Sequence, residues 1–202
     1  MSERKYDFDA GDLSLDFANT NNWHGGDHPV EMLGSYLALL TWGKQAGLLT
    51  PEAAKRLQEL AQAQPIKVDH LYERAIQVRE AIYRIFSRRY AGKPIPKADL
   101  VLLNSLVREA MTHRQLVQSN DEFNWAWTPD MDGINLILLP VAFAAAHLLA
   151  SPMISRVREC EDDRGCGYLF IDLSKNHSRR WCSMESCGNR AKARRHYSRA
   201  QA

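Results

Sequence analysis

The chain has 202 residues, 45% of them apolar and 25% charged, with a formal net charge of +2. Those values describe a globular protein with one ordinary domain, or one domain plus a small module, and exclude low-complexity and fibrous classes. The polar, acidic start MSERKYDFDAGD has no apolar stretch of the signal-peptide kind, so a cytoplasmic location is expected.

Leu13-Ser-Leu-Asp-Phe17 alternates apolar and polar residues and reads as a strand. It runs into a polar, glycine-containing loop, Asn19 to His28. A helix is predicted from Glu31 to Gly47, with Leu33, Leu37, Leu40 and Trp42 facing a core. Thr50-Pro51 has the chemistry of a helix start, a hydroxyl cap followed by proline where its missing N–H is harmless, and that helix should end near Gln64-Pro65. The next helix is placed after Asp69 as cap, carrying Leu71, Ala75, Val78, Ile82 and Ile85 up to Gly92. Another follows from Lys97 to His113, using Leu100, Leu103, Val107 and Met111. Residues 115–118 and 122–128 predict a hairpin with Phe123, Trp125 and Trp127 on one face.

The apolar stretch from about Asp132 to Ala150 predicts a buried helix rather than a bilayer span, because Asn135, Pro140 and His147 interrupt a run already short of the roughly 20 residues needed. No membrane partner is expected. Ser151-Pro152 breaks that helix, which sets the expected boundaries: a front domain over 1–151 and a tail module over 153–202.

Charge changes sign across this boundary. Residues 1–150 hold 15 basic and 18 acidic side chains, whereas residues 151–202 hold 11 and 6. Between Ser174 and Arg199 stand eight cations, Lys175, Arg179, Arg180, Arg190, Lys192, Arg194, Arg195 and Arg199, against Glu185 alone. Such a segment seeks a polyanion or lies in solvent; charge by itself leaves both open.

All four cysteines also lie here, as C-x5-C-x15-C-x4-C over Cys160, Cys166, Cys182 and Cys187. Two close pairs around a short hairpin suit tetrahedral Zn²⁺, while spacing alone leaves free or disulfide-bonded thiols open. Tyr168–Leu173 predicts one strand, Ser174–Ser178 a turn, Arg179–Cys182 the returning strand, and a helix should start between Ser183 and Cys187. That order, with the second cysteine pair at a helix N-terminus, is the order of a treble-clef finger. Four sulfurs close the coordination sphere, so the metal should be structural and not catalytic. His177 and His196 read as surface residues. On the helix, Ala193, Tyr197 and Ala200 form a narrow apolar stripe, with Lys192, Arg195 and Arg199 opposite and Arg190 and Arg194 flanking it. Lys175, Arg179 and Arg180 add charge around the hairpin, an arrangement suited to phosphate contacts with DNA or to an acidic protein.

The segments CGYLFIDLS (166–174), RRWCSM (179–184) and CGNRAK (187–192) resemble the CGNR zinc finger, and LSLDFANT (13–20), YLALLTW (36–42) and the apolar helix before Ser151 resemble the ABATE domain of stress-induced transcription regulators. The resemblance implies an α+β architecture: a mainly helical, mixed α/β front domain followed by a small treble-clef-like finger with zinc on the four cysteines. It also implies a bacterial regulator that binds DNA through the finger and senses a small-molecule effector with the front domain.

Within the front domain, Asp16, Asn19 and Thr20 are the candidate ligand-binding residues, since short polar groups at a strand end can line a small-molecule site. His24, Asp27 and His28 read better as turn and solvent residues than as a metal site. No nucleophile elbow, phosphate loop or dinucleotide fingerprint occurs, so no enzyme is expected. A finger that grips another protein, and less so a small-molecule enzyme in the front domain, are the alternatives. Because one small finger binds DNA weakly, a homodimer joined through the front domain is expected.

Overall fold

The computed structural model describes residues 4–200, with side chains described as far as Arg194. Seven helices and three two-stranded sheets alternate along these residues. The front is mainly helical, and the cysteine-bearing end is a small sheet followed by a helix. None of the described helices is long and apolar enough to cross a membrane.

The first element departs from the period-two reading. Leu13–Ala18 is a short helix, α1, begun by Asp12, whose side chain accepts from the Ser14 N–H at 2.8 Å. The alternation misled because its polar members are not on a wet face: Ser14 and Asp16 are as buried as Leu15 and Phe17. The following loop holds a minimal ladder between β1 (Asn21–Asn22) and β2 (Val30–Glu31). Helix α2 spans Tyr36–Gln45 with Ser35 as its cap, later than expected, so Leu33 is buried ahead of the helix and Leu37 faces solvent.

Helix α3 (Pro51–Ala63) begins as the Thr50-Pro51 signature predicts: the Thr50 hydroxyl accepts from the Ala53 N–H at 3.1 Å. The next helix, α4, starts at Pro65 instead of after Asp69 and runs 26 residues to Tyr90. Proline at a first helical position needs no N–H partner, so Pro65 opens α4 directly after α3 ends. Ala75, Val78, Ile82, Ile85 and Phe86 make its buried stripe. Gly92, at φ +64°, follows its end in the left-handed conformation that stops helices. Helix α5 (Lys97–Thr112) and the hairpin of β3 (Arg114–Ser119) with β4 (Glu122–Trp127) lie where sequence puts them. Leu100 and Met111 are exposed, however, and so are Phe123 and Trp125 of the hairpin.

Helix α6 (Asn135–Ala150) is the buried centre, with Ile137 to Ala142 shielded on every side. Gly43 lets α2 lie against it, since a Cβ there would come within 2.8 Å of Ile137 Cδ1. Ser151 ends α6 and its hydroxyl caps a tight turn, Pro152–Arg156. Beyond it, β5 (Val157–Glu159) pairs antiparallel with β6 (Leu169–Ile171). This corrects the expected second strand at Arg179–Cys182, which is irregular. There the buried Asp172 carboxylate accepts from the Ser174 and Arg179 N–H groups, and the Glu161 N–H bonds Arg180 O at 2.9 Å. Side-chain bonding to the backbone replaces a ladder.

The sheet of the cysteine-bearing end is part of the main core. Val157, Leu169 and Ile171 pack with the residues of α1, α2, α4 and α6. Asn19 makes the seam by pairing both ways with β6: its Nδ2 donates to Leu169 O at 2.8 Å and its Oδ1 accepts from Leu169 N at 2.9 Å. The Ile171 N–H completes it on Ala10 O at 2.8 Å.

One buried cation fixes the loop that carries β1 and β2. Arg79 of α4, 2% exposed, forks onto Glu31 at 2.6 and 2.7 Å and reaches Glu80 at 2.8 Å, while Glu80 also meets His24 at 2.7 Å. Burial opposes ionisation of Glu80, but His24 and Arg79 hold its carboxyl down to about 2. A buried guanidinium without such partners is a liability of several kcal/mol, so this loop is held strongly against α4.

Candidate metal centre

The four cysteine sulfurs converge so that all lie within 4.8 Å of one another. Cys160 follows β5, its N–H bonded to Tyr168 O at 2.8 Å. Cys166 sits between Gly165 and Gly167, both at positive φ, in the knuckle that turns back into β6. Cys182 lies just before Ser183, and Cys187 falls in one wide turn, Met184–Gly188, that leads into α7 (Asn189–Ala200). Ser183 starts that turn, accepting on Oγ from the Ser186 N–H at 3.3 Å and on its carbonyl from the Gly188 N–H at 2.9 Å. The helix start predicted between Ser183 and Cys187 is therefore present, as a widened first turn.

The donor set fits a tetrahedral metal. Sulfur separations are 3.7 Å for Cys166–Cys182 and 3.6 Å for Cys182–Cys187, and none of the four is in a disulfide. Sulfurs about 2.3 Å from a tetrahedral zinc stand about 3.8 Å apart. Packed so closely, the sulfurs resist ionising together: hydrogen bonds from Cys166 and Cys182 favour a thiolate at Cys160, and the same contacts push Cys166 and Cys182 up. Only a central cation lets all four carry charge. His177 is exposed on its turn and outside this cluster, whereas the side chain of His196 lies outside the described residues.

Two residues that sequence reading did not single out complete the centre. Asp162, with no exposed side-chain surface, bonds Arg190 at 3.3 Å, Arg194 at 3.2 Å and Arg164 at 3.4 Å, and Arg190 also donates to Cys187 Sγ at 3.0 Å. Asp162 thus ties the knuckle to the first turns of α7. The second is Trp23, from the front-domain loop, which packs against the cysteine cluster with the Arg164 and Arg190 guanidinium groups each 5.1 Å from its ring. The loop can approach because Gly165 has no side chain: a Cβ there would overlap the backbone of Gly25 and Gly26. The available signals were an acidic run between the first two cysteines of an otherwise basic module and a tryptophan in an otherwise polar loop.

The eight cations divide. Arg179 donates to the backbone oxygens of Trp181 and Cys182 and lies 4.4 Å over the Phe170 ring. Arg180 pairs with Glu161, and Arg190 and Arg194 are taken by Asp162, Arg194 also touching Asp163. Lys175 and Lys192 are exposed. The side chains of Arg195 and Arg199 lie outside the described residues. So do those of Tyr197 and Ala200 from the expected apolar stripe, and its remaining member, Ala193, is exposed.

The front-domain candidates are turned inward. Asn19 is engaged with Leu169, Thr20 Oγ1 donates to Phe17 O at 2.7 Å, and Asp16 Oδ1 accepts from the Ala10 N–H at 3.0 Å. The cavity they line with Tyr6 and Tyr168 measures about 20 Å³, room for little beyond a water molecule. The solvent position expected for His24 is corrected: its ring stacks on Tyr83 with centroids 3.5 Å apart and bonds Glu80, while Asp27 and His28 are exposed. His113 bonds Thr128 at 3.0 Å, and His147 is exposed beside Phe143.

Comparison with known families agrees with this division of the chain. The ABATE family model, described as "Putative stress-induced transcription regulator", matches residues 11–152, and the CGNR zinc finger model matches residues 156–200. No curated protein matches the chain.

Asp16 gives a pH test of the inward-facing cluster. Burial, with Asp9, Asp12 and Asp7 nearby, outweighs the Ala10 N–H and raises its carboxyl to about 6. A carboxyl raised on folding removes stability as pH climbs from the unfolded value near 4 through 6, and the penalty stays above that. Asp16→Asn keeps the acceptor for Ala10 and cannot ionise. Urea unfolding should show the variant gaining about 3 kcal/mol over wild type between pH 3 and pH 7. A constant difference across that range would mean that Asp16 does not titrate there.

Proposed function

The chain belongs to the ABATE family, and from that premise we propose that it is a transcription regulator whose zinc-bound finger presents cations to DNA while the front domain senses a small molecule. The observation that carries the reading is the convergence of Cys182 and Cys187 at the start of α7, which fixes a helix bearing Lys192, Arg195 and Arg199 on a metal centre. Zn²⁺ is the ion this set selects, through four sulfurs in closed tetrahedral array without room for water. The finger has few apolar residues of its own, so the metal contributes to its folding as well as to its geometry.

Lys175 on the turn after β6 and Lys192 on α7 are the exposed cations assigned to phosphate, joined by Arg195 and Arg199. Arg179, Arg180, Arg190 and Arg194 hold the finger's own loops and aim the helix. This division differs from a reading of charge alone, in which all eight meet DNA. A homodimer belongs to the proposal as well. The outward face of the hairpin carries Leu116 opposite Trp125, with Phe123 beside them, 57 to 64% exposed, and a second copy would cover it and bring two fingers to one duplex. The second reading is a finger that grips an acidic protein, favoured by the internal use of four of its arginines.

Three measurements test these elements. Mass spectrometry of the metal should find one zinc per chain, falling towards none in Cys182→Ser and Cys187→Ser; unchanged zinc would remove the centre. Fluorescence anisotropy on a short duplex should show affinity dropping steeply with salt, and the double change Lys175→Glu, Lys192→Glu should weaken it about tenfold or more and flatten the salt slope by about 2. Affinity indifferent to salt and to both lysines would decide for the protein partner. Sedimentation at micromolar concentration should give a dimer that Trp125→Ser dissociates, and a monomer throughout would end that element.

A further inference from the structure

Helix α3, the start of α4 and the start of α6 enclose an open cleft of about 490 Å³, within the usual range for small-molecule sites. Its apolar part is made by Leu57, Leu60, Leu71 and Ile134, of which Leu57 and Ile134 are buried. Its charged part is mostly positive: Arg56, Lys67 and Arg74, against Asp132.

These cations differ in how far they are already engaged. Arg74 stands 3.4 Å from Glu109, which also accepts from Asn135 Nδ2 at 2.7 Å, and Arg56 faces Glu52 one turn earlier on α3. Lys67 has no ion-pair partner among the described residues. The cleft also receives the N-terminal end of α6. Ile134, at the cap position of that 16-residue helix, offers no side-chain acceptor to the first turn. The Leu136 and Ile137 N–H groups bond Gly133 O and Ile134 O at 3.4 and 3.0 Å, so it is the positive end of the helix dipole that meets the space beside Lys67 and Arg74.

An uncapped helix start, an unpaired lysine and a leucine-lined wall select one chemistry. A cation would meet three like charges, and a neutral apolar molecule would leave Lys67 and the helix end unmatched. A polyphosphate would place strongly hydrated groups against Leu57, Leu60 and Leu71. We propose that this cleft is the effector site of the front domain, and that its ligand is an amphipathic organic monoanion: a carboxylate held by Lys67, Arg74 and the start of α6, with an alkyl or aryl body against the leucines. The site lies on elements other than those of Asp16, Asn19 and Thr20, whose own cavity is far too small for such a molecule.

The assignment rests on the reading of the front domain as a sensor, and titration of the full chain without DNA keeps the two separable. Isothermal titration with sodium octanoate and sodium phenylacetate distinguishes an alkyl from an aryl body, with octan-1-ol and octylamine as uncharged and cationic counterparts. At least one carboxylate should bind at a single site, at least tenfold more tightly than the alcohol or the amine. Lys67→Glu, at an exposed position that does not endanger folding, should weaken that binding tenfold or more. Val101→Ser, at an exposed apolar position on α5, should leave it unchanged. Neither carboxylate binding, or binding that ignores Lys67→Glu, or binding lost with Val101→Ser, overturns the site. A chain that binds octanoate but not DNA would keep the site and lose the DNA-binding reading, and the opposite pattern would do the reverse.

Discussion

A segment of fifty residues rich in arginine cannot bury enough apolar surface to order itself, and that shortage governs how this protein is built. It is met in two ways at once. Four sulfurs gather within 4.8 Å, a cluster of charge that only a cation reconciles. At the same time Val157, Leu169 and Ile171 are given to the core of the helical front, with Asn19 closing the seam. Phe170, between Leu169 and Ile171, packs instead with the cysteines, so the small sheet is held from both faces.

The same constraint explains why charge counted along the chain overstates what the finger offers to a partner. A buried acid such as Asp162 is stable only when surrounded by cations, and Arg164, Arg190 and Arg194 supply them. Arg179 satisfies carbonyls that a strand ladder would otherwise have used. Much of the basic character is therefore structural, spent inside the knuckle and its loops. The exposed lysines stand apart from this network, one on the turn and one on the helix.

What sequence made legible followed from local chemistry. Thr50-Pro51 announces a helix because cap and proline act within one turn, and the cysteine spacing announces a metal centre because its ligands are few and specific. The misreadings came from interactions distant in sequence. Leu13–Phe17 alternates like a strand, yet Ser14 and Asp16 are buried by contacts that no window of five residues contains. Arg179–Cys182 has the residues of a strand, but β6 had already found β5 as its partner on the opposite side. Trp23 and Asn19 sit in a loop whose composition says only "turn", and their part in the finger depends on segments about 150 residues further on. The small cavity beside Asp16 shows the converse: residue types suited to a ligand site were used for internal bonding.

The glycine contact between the two halves has an evolutionary consequence. Backbone at Gly165 lies directly on Gly25 and Gly26, with no side chain between them to absorb a misfit. Zinc fingers are commonly treated as cassettes that recombination can move from one host to another. Here the knuckle is moulded to one loop of one front domain, and the sheet behind it would expose Leu169 and Ile171 if transplanted. The two parts are constrained to diverge together: a change of loop length between Thr20 and Glu31 alters the metal centre's wall, and a bulkier knuckle shifts the loop that Arg79 holds. Lineages that exchange this finger must carry its docking loop with it.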